Sequence, residues 1–294
     1  MMTDSEHILI GSKHTSIKAL ITLIIFGALM LTCTCLMGCA QKEAEDQLDL
    51  EYRSELIDDG TLKVLTALDY PPFEAGTIDE PWGYDIAVAQ EIANRLDLAL
   101  EFVSVPRAEI VSTLACEPSS AADEGQEVEP QGDIALAALA ITAARDDKVD
   151  FSSWYYVGDQ AVVAQEDAYQ STTEFDRAKT RIAVVKGSTC FDTACSLTDK
   201  NLVVEYSSAR KCLDALQAKE VQAAVLDLPV ATYLIDNDFS GMSIIERIMT
   251  GEAYGIALPT QSTHLKDAIN DALQEMEKDG TLERLEKEYA KRTQ

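Results

Sequence analysis

The chain is short of basic residues and of histidine. Against 51 acids it has 24 lysines and arginines, which leaves a formal net charge of -27 and a pI near 4.3. A phosphate backbone or an anionic membrane surface would repel such a chain, so nucleic acid is excluded as an electrostatic partner. The three histidines are His7, His14 and His264. No GxSxG, HExxH or P-loop spacing accompanies them, so the residue patterns of common hydrolases, zinc peptidases and nucleotide-binding enzymes are missing. Seven cysteines occur without a metal-type CxxC spacing, and no metal or cofactor is expected. What remains is globular composition, 26% charged and 47% hydrophobic over 294 residues, enough for one large or two medium domains with their own cores.

One long uncharged stretch stands at the start. Ala19 to Gln41 carries no charge, follows Lys13 and Lys18, and is rich in Leu and Ile, the pattern of a secretory leader. It stops at Leu36-Met37-Gly38-Cys39, a tetrapeptide that resembles the bacterial lipobox. The resemblance implies cleavage after residue 38, a lipid on Cys39 and attachment to the membrane on the extracytoplasmic side. The competing reading is a retained spanning helix, for which ~20 apolar residues suffice. Two acids and two bases leave with residues 1–38, so the exported part keeps the whole charge. Cys33 and Cys35 leave too. Cys116, Cys190, Cys195 and Cys212 stay in a compartment where bridges can form. Cys190 and Cys195 would be too far apart on one regular helix, and the pairing is left open.

Beyond the leader, residues 39–50 read as an acidic tether, with a short helix closed at Gly60 and the folded part starting there. Thr61 to Leu68 reads as a buried strand, Tyr84 to Leu96 as an amphipathic helix, and Leu100 to Val105 as a strand. A second helix is expected from Arg107 to Cys116. Glu117 to Gln131 holds acids, two prolines and no base, a surface loop. Asp133 to Ile141 reads as a strand buried on both faces. The pattern then restarts: strand 181–185, helix 188–194, strand 202–206, helix 208–218, strand 223–226. Alternation of this kind means largely parallel α/β units. Leu265, Ala268, Ile269, Ala272, Leu273 and Met276 repeat at helical spacing from Thr263 to a stop at Gly280, and a last helix follows from Thr281.

Several segments resemble the bacterial extracellular solute-binding proteins of family 3, the polar amino-acid binding proteins of ABC importers. They include Gly60-Thr-Leu-Lys-Val, Asp69-Tyr-Pro-Pro-Phe-Glu74, Gly83-Tyr-Asp-Ile-Ala87, Ile141-Thr-Ala-Ala-Arg145, Val149-Asp-Phe-Ser152, Val185-Lys-Gly-Ser-Thr189, Ala223-Ala-Val-Leu-Asp227, Tyr254-Gly-Ile-Ala257 and Asp279-Gly-Thr-Leu282. The resemblance implies a two-lobed α/β fold of the periplasmic-binding-protein type II, each lobe a mostly parallel sheet flanked by helices, with a two-strand hinge. Lobe 1 would comprise 51–157 and 254–294, and lobe 2 would comprise 158–253. It further implies a monomer that closes on a free polar amino acid and delivers it to an ABC permease.

The same resemblance assigns the cleft. Arg145 would grip the ligand carboxylate with a planar fork that lysine lacks; without the resemblance it reads rather as a surface arginine paired with Asp146, Asp147 or Asp150. Asp227 would hold the ammonium, although an Asp two residues before Pro229 also suits an N-cap. Ser188 and Thr189 start a helix whose amides would add donors for the carboxylate. Tyr70 would cover the ligand's side, with Phe73 in the core. Ala140 stands where the family has serine or threonine and Ala138 where it commonly has glycine or serine, which leaves only their backbone groups. Ala67 stands where the family has aspartate, which argues against a cationic side chain. Arg107 stands where an aromatic is frequent; it reads either as a solvated residue at a helix start or as a reader of an anionic or amide side chain. Two other functions share these lobes, a sensory module and a cyclohexadienyl-type dehydratase. His264, at a helix start with no nucleophile nearby, does not favour the enzyme.

Overall fold

A computed structural model describes residues 51–117 and 129–289. The leader, Cys39, the tether and most of the acidic 117–131 segment lie outside the described residues. Strand β1 (Thr61–Thr66) is apolar at Leu62, Val64 and Leu65, all buried. A three-stranded sheet follows, of β2 (Asp69–Tyr70), β3 (Glu74–Gly76) and β4 (Pro81–Trp82). Helix α1 (Tyr84–Arg95) buries Ile86, Val88, Ala89, Ile92 and Ala93. Its N-cap is Gly83 at φ 130, where a Cβ would lie 2.2 Å from the Phe73 carbonyl oxygen. Only glycine lets the two backbones meet there.

β5 (Ala99–Ser104) leads through a single 3-10 turn, Arg107–Glu109, into the short α2 (Ile110–Leu114). Then come β6 (Ile134–Ala135), α3 (Ala143–Asp146) and the long β7 (Asp150–Gln165). The second α/β unit is β8 (Ile182–Val185), α4 (Cys190–Leu197), β9 (Val203–Tyr206), α5 (Ala209–Gln217), β10 (Ala223–Asp227) and α6 (Leu228–Asn237). The chain returns along β11 (Met242–Leu258) to α7 (Thr263–Lys278) and α8 (Thr281–Tyr289).

The main sheet has the order β5-β1-β6-β11-β7-β10-β8-β9. Pairs are parallel at both ends, β5-β1-β6 and β10-β8-β9, and antiparallel in the middle, where β7 and β11 run through both halves. Strands of 16 and 17 residues reach roughly 50 Å at about 3.3 Å per residue, enough to serve two lobes. Their register breaks between Ile248 and Glu252, a bulge at the middle of the crossing. Apolar clusters cover both faces of each half, as parallel sheets require. The α/β units are those that the alternating pattern implies, the two-lobed fold is the one that the resemblance implies, and all six positions named on α7 are buried.

Some expectations need correction. Packing begins before Gly60: Tyr52 and Leu56 are buried, and the Tyr52 hydroxyl donates to the Leu96 carbonyl at 2.9 Å. Asp133 to Ala140 is buried throughout, yet the run forms a continuous strand only at Ile134–Ala135: Ala138 turns to φ 45 and interrupts it, and Ala140 returns to the sheet as an isolated bridge to Tyr254. The helix expected from Arg107 ends at Leu114, with Cys116 at φ 53. Cys190 and Cys195 share helix α4, and the four cysteines among the described residues are free thiols.

Candidate functional site

Arg145 is set by a local cap. The Thr142 side chain accepts from the Arg145 N–H and starts α3, directing the guanidinium away from solvent. It makes no pair with Asp146, Asp147 or Asp150. Its Nη1 donates to the Ala140 carbonyl at 2.7 Å and its Nη2 to the Gly187 carbonyl at 3.0 Å. The first acceptor belongs to the β6 half of the molecule and the second to the β8 half. The break at Ala138 therefore has a use, since it leaves the Ala137 and Ala140 carbonyls to accept from arginine side chains.

Asp227 ends β10 and occupies the N-cap position of α6, but its side chain makes no cap bond. Oδ2 accepts from the Tyr70 hydroxyl at 2.8 Å, and Oδ1 faces the Cys190 thiol at 3.6 Å. Thr189 accepts from Gln160 Nε2 at 3.2 Å, and the same nitrogen donates to Glu252 at 3.1 Å, which ties the turn before α4 to the crossing strands. Ser188 donates to the Val185 carbonyl at 2.7 Å.

Arg107 is not a solvated helix-start residue. Its side chain is 8% exposed, ion-paired to the fully buried Glu74, and bonded through Nη1 to the Ala137 carbonyl at 2.6 Å. The guanidinium carbon sits 3.7 Å from the centre of the Tyr70 ring, a cation–π contact on the surface expected to cover a ligand. Tyr70, Arg107, Ala138, Ala140, Arg145, Ser188, Thr189 and Asp227 all line one cavity, joined by Gly187 and Tyr254. Its volume is about 10 Å³, roughly that of one water. Tyr70–Asp227 and Arg145–Gly187 bridge the two halves across it, so a ligand enters only if these contacts part.

Burial dominates the titration of the acids at and below the cavity. It raises Asp227 above the ordinary carboxylate range, with the Tyr70 hydroxyl and Arg107 pulling the other way. It raises Glu74 and Asp85 as well, although Arg107 stands beside Glu74. Arg145 is lowered by burial and by the charge of Arg107. Burial also opposes the charge on Arg107, but Glu74 and Tyr70 outweigh it and keep the guanidinium charged.

Glu74 Oε2 is buried, has no donor, and faces the Asp85 carboxyl. Two acceptors in that position need one proton between them. A carboxyl whose folded pKa is raised contributes stability below its unfolded value and loses it as pH climbs through the folded one. Glu74→Gln replaces the shared proton with a permanent amide donor. The melting temperature of E74Q relative to the unsubstituted protein should therefore rise from pH 5 to pH 8 in calorimetry. A constant difference would exclude the shared proton.

Glu74, Asp85 and Tyr254 escape a reading by residue type. The available signal was an acid, Asp85, in the first turn of a helix on its apolar face. Its carboxylate accepts from the Ala138 N–H at 2.6 Å and from the Tyr155 hydroxyl at 2.9 Å, which holds the turn carrying the cavity's backbone groups. His264 lies elsewhere, paired with Glu55 at the start of α7. A larger concavity, about 790 Å³, lies between β7 and helices α7 and α8. Its charged lining residues, Asp271, Glu277, Glu283, Glu286 and Lys287, are mostly exposed, whereas Arg107, Arg145 and Asp227 meet in the smaller cavity, so the chemistry points there.

Comparison with known proteins agrees with the fold. The family model for bacterial extracellular solute-binding proteins, family 3, matches residues 62–122 and 126–292. The chain belongs to that family. It is 27% identical over 239 residues to the histidine-binding periplasmic protein of Escherichia coli (strain K12), covering 78% of this chain and 86% of that one. Among solved structures, an ancestral arginine-binding protein bound to arginine is 30% identical, with a TM-score of 0.66 over 78% of this chain and 98% of that one. The ancestral amino acid-binding protein AncCDT-1, a precursor of cyclohexadienyl dehydratase, is 26% identical, with a TM-score of 0.68 over 81% and 99%. Among the described residues no helix is long and apolar enough to cross a membrane.

Proposed function

We propose that this protein captures a free polar amino acid outside the cytoplasm and passes it to the permease of an ABC importer. Arg145 takes the ligand carboxylate and Asp227 its ammonium. The carrying observation is that these two groups reach one cavity from either side of the β7–β11 crossing. Lobe 1 is 51–157 with 254–294, lobe 2 is 158–253, and the bulge near Gly251 is where they swing. In the closed arrangement Tyr70 and the Gly187 carbonyl satisfy the two groups. A zwitterion replaces both partners and links the lobes through itself, so binding energy becomes closure energy. Ser188, Thr189 and the backbone at Ala138 and Ala140 complete the carboxylate side, and Tyr70 packs beside the ligand. A lipid on Cys39 and the tether 39–50 keep the monomer near its permease. Relatives named for binding histidine or arginine support an amino acid as ligand.

The test is a thermal-shift screen of the purified protein against the common amino acids, followed by calorimetric titration of each hit. A ligand at 100 times its dissociation constant stabilises by about 2.7 kcal/mol, and one molecule should bind per chain. A protein that no amino acid stabilises would refute the reading.

A further inference from the structure

Three charged side chains line the cavity: Arg145, Asp227 and Arg107. An amino acid's α-carboxylate and ammonium answer the first two and leave the third over. We infer that Arg107 determines specificity by meeting a carboxylate on the ligand's side chain, so that the site selects a dicarboxylic amino acid and rejects cationic ones. This rests on the assignment of Arg145 and Asp227 above.

Geometry supports the role in three ways. Arg107 has its countercharge behind it: Glu74 and Asp85, which share one proton and so keep one negative charge, are fully buried and do not line the cavity, whereas Arg107 does. Nη1 and Nη2 are engaged by Ala137 and Glu74, yet Nε is buried with no partner, and a buried donor without an acceptor is costly. A ligand oxygen near it would satisfy it, and an anionic oxygen forms a bond roughly twice as strong as a neutral one. Finally, the Tyr70 face at 3.7 Å is already covered by this guanidinium. A ligand carrying its own guanidinium or ammonium would lose that surface and meet a like charge in a poorly screened site.

Isothermal titration with L-glutamate, L-aspartate, L-glutamine, L-asparagine and L-arginine tests this. One of the acids should bind at least 30-fold more tightly than its amide, and arginine should bind more weakly than either. Arg107→Met should bring the acid-to-amide ratio to within threefold of one. If that variant does not fold, the ratio in the unsubstituted protein decides alone. An amide or arginine that binds as tightly as the acids would overturn the role of Arg107 and leave Arg145 and Asp227 standing. So would an acid preference that survives in Arg107→Met. If no amino acid binds at all, the assignment of Arg145 and Asp227 falls, and this inference with it.

Discussion

Arg145→Ala should weaken binding of the amino acid found by screening at least 100-fold, with little change in melting temperature. In this structure the guanidinium bonds to two carbonyls, Ala140 and Gly187; each such bond is worth about 1.5–3 kcal/mol, but removing the side chain also relieves the burial that opposes its charge. In the complex it would face a carboxylate inside a closed cleft. Removing one partner of a desolvated, hydrogen-bonded charge pair costs about 2–5 kcal/mol, much of it because the other charge is left unpaired. Arg145→Lys should recover only part of the loss, since an ammonium cannot span both oxygens in plane. Titration calorimetry of the three proteins decides the matter. Affinity for the alanine variant within threefold of the original would remove Arg145 from the site.

The second large effect falls on a residue that does not line the cavity. Asp85→Ala should destabilise the fold by about 3 kcal/mol and reduce affinity along with it. The carboxylate is fully buried and serves the Ala138 N–H and the Tyr155 hydroxyl. Each buried donor left unpaired costs about 1–3 kcal/mol, offset in part by relief of the carboxylate's own burial. Against a typical total of about 5–15 kcal/mol, that is a large fraction. Asp85→Asn keeps an acceptor for Ala138 and should lose less. Denaturant unfolding of both variants measures the difference, and a loss below 1 kcal/mol for the alanine would show that the turn at Ala138 holds without Asp85.

Some of this was legible along the chain. The six apolar positions of α7 announce themselves because a helix repeats every 3.6 residues and one stripe must face the core. The parallel halves follow from strand–helix alternation, since crossovers leave little other topology. Arg145 and Asp227 were singled out by their places in motifs, and the cavity brings both together. The run from Asp133 to Ile141 is buried as its composition implies as far as Ala140, with Ile141 exposed, but it is not one continuous strand. Its composition is that of an interior strand, but a carboxylate 53 residues away takes the Ala138 N–H out of the ladder.

The sequence by itself determined the amphipathic helices and most strands of the α/β alternation, the excess of acid over base, and which residues were candidates for the cleft. Periodicity and composition are local, and they survive in the unfolded chain. Only the tertiary structure decided what those candidates touch. Tyr70 reaches Asp227 across 157 residues, and Arg107 becomes a buried cation over an aromatic ring only because Glu74, Ala137 and Tyr70 converge on it. Burial and charge pairing depend on neighbours that folding alone supplies, so a residue's chemistry is set by them as much as by its type.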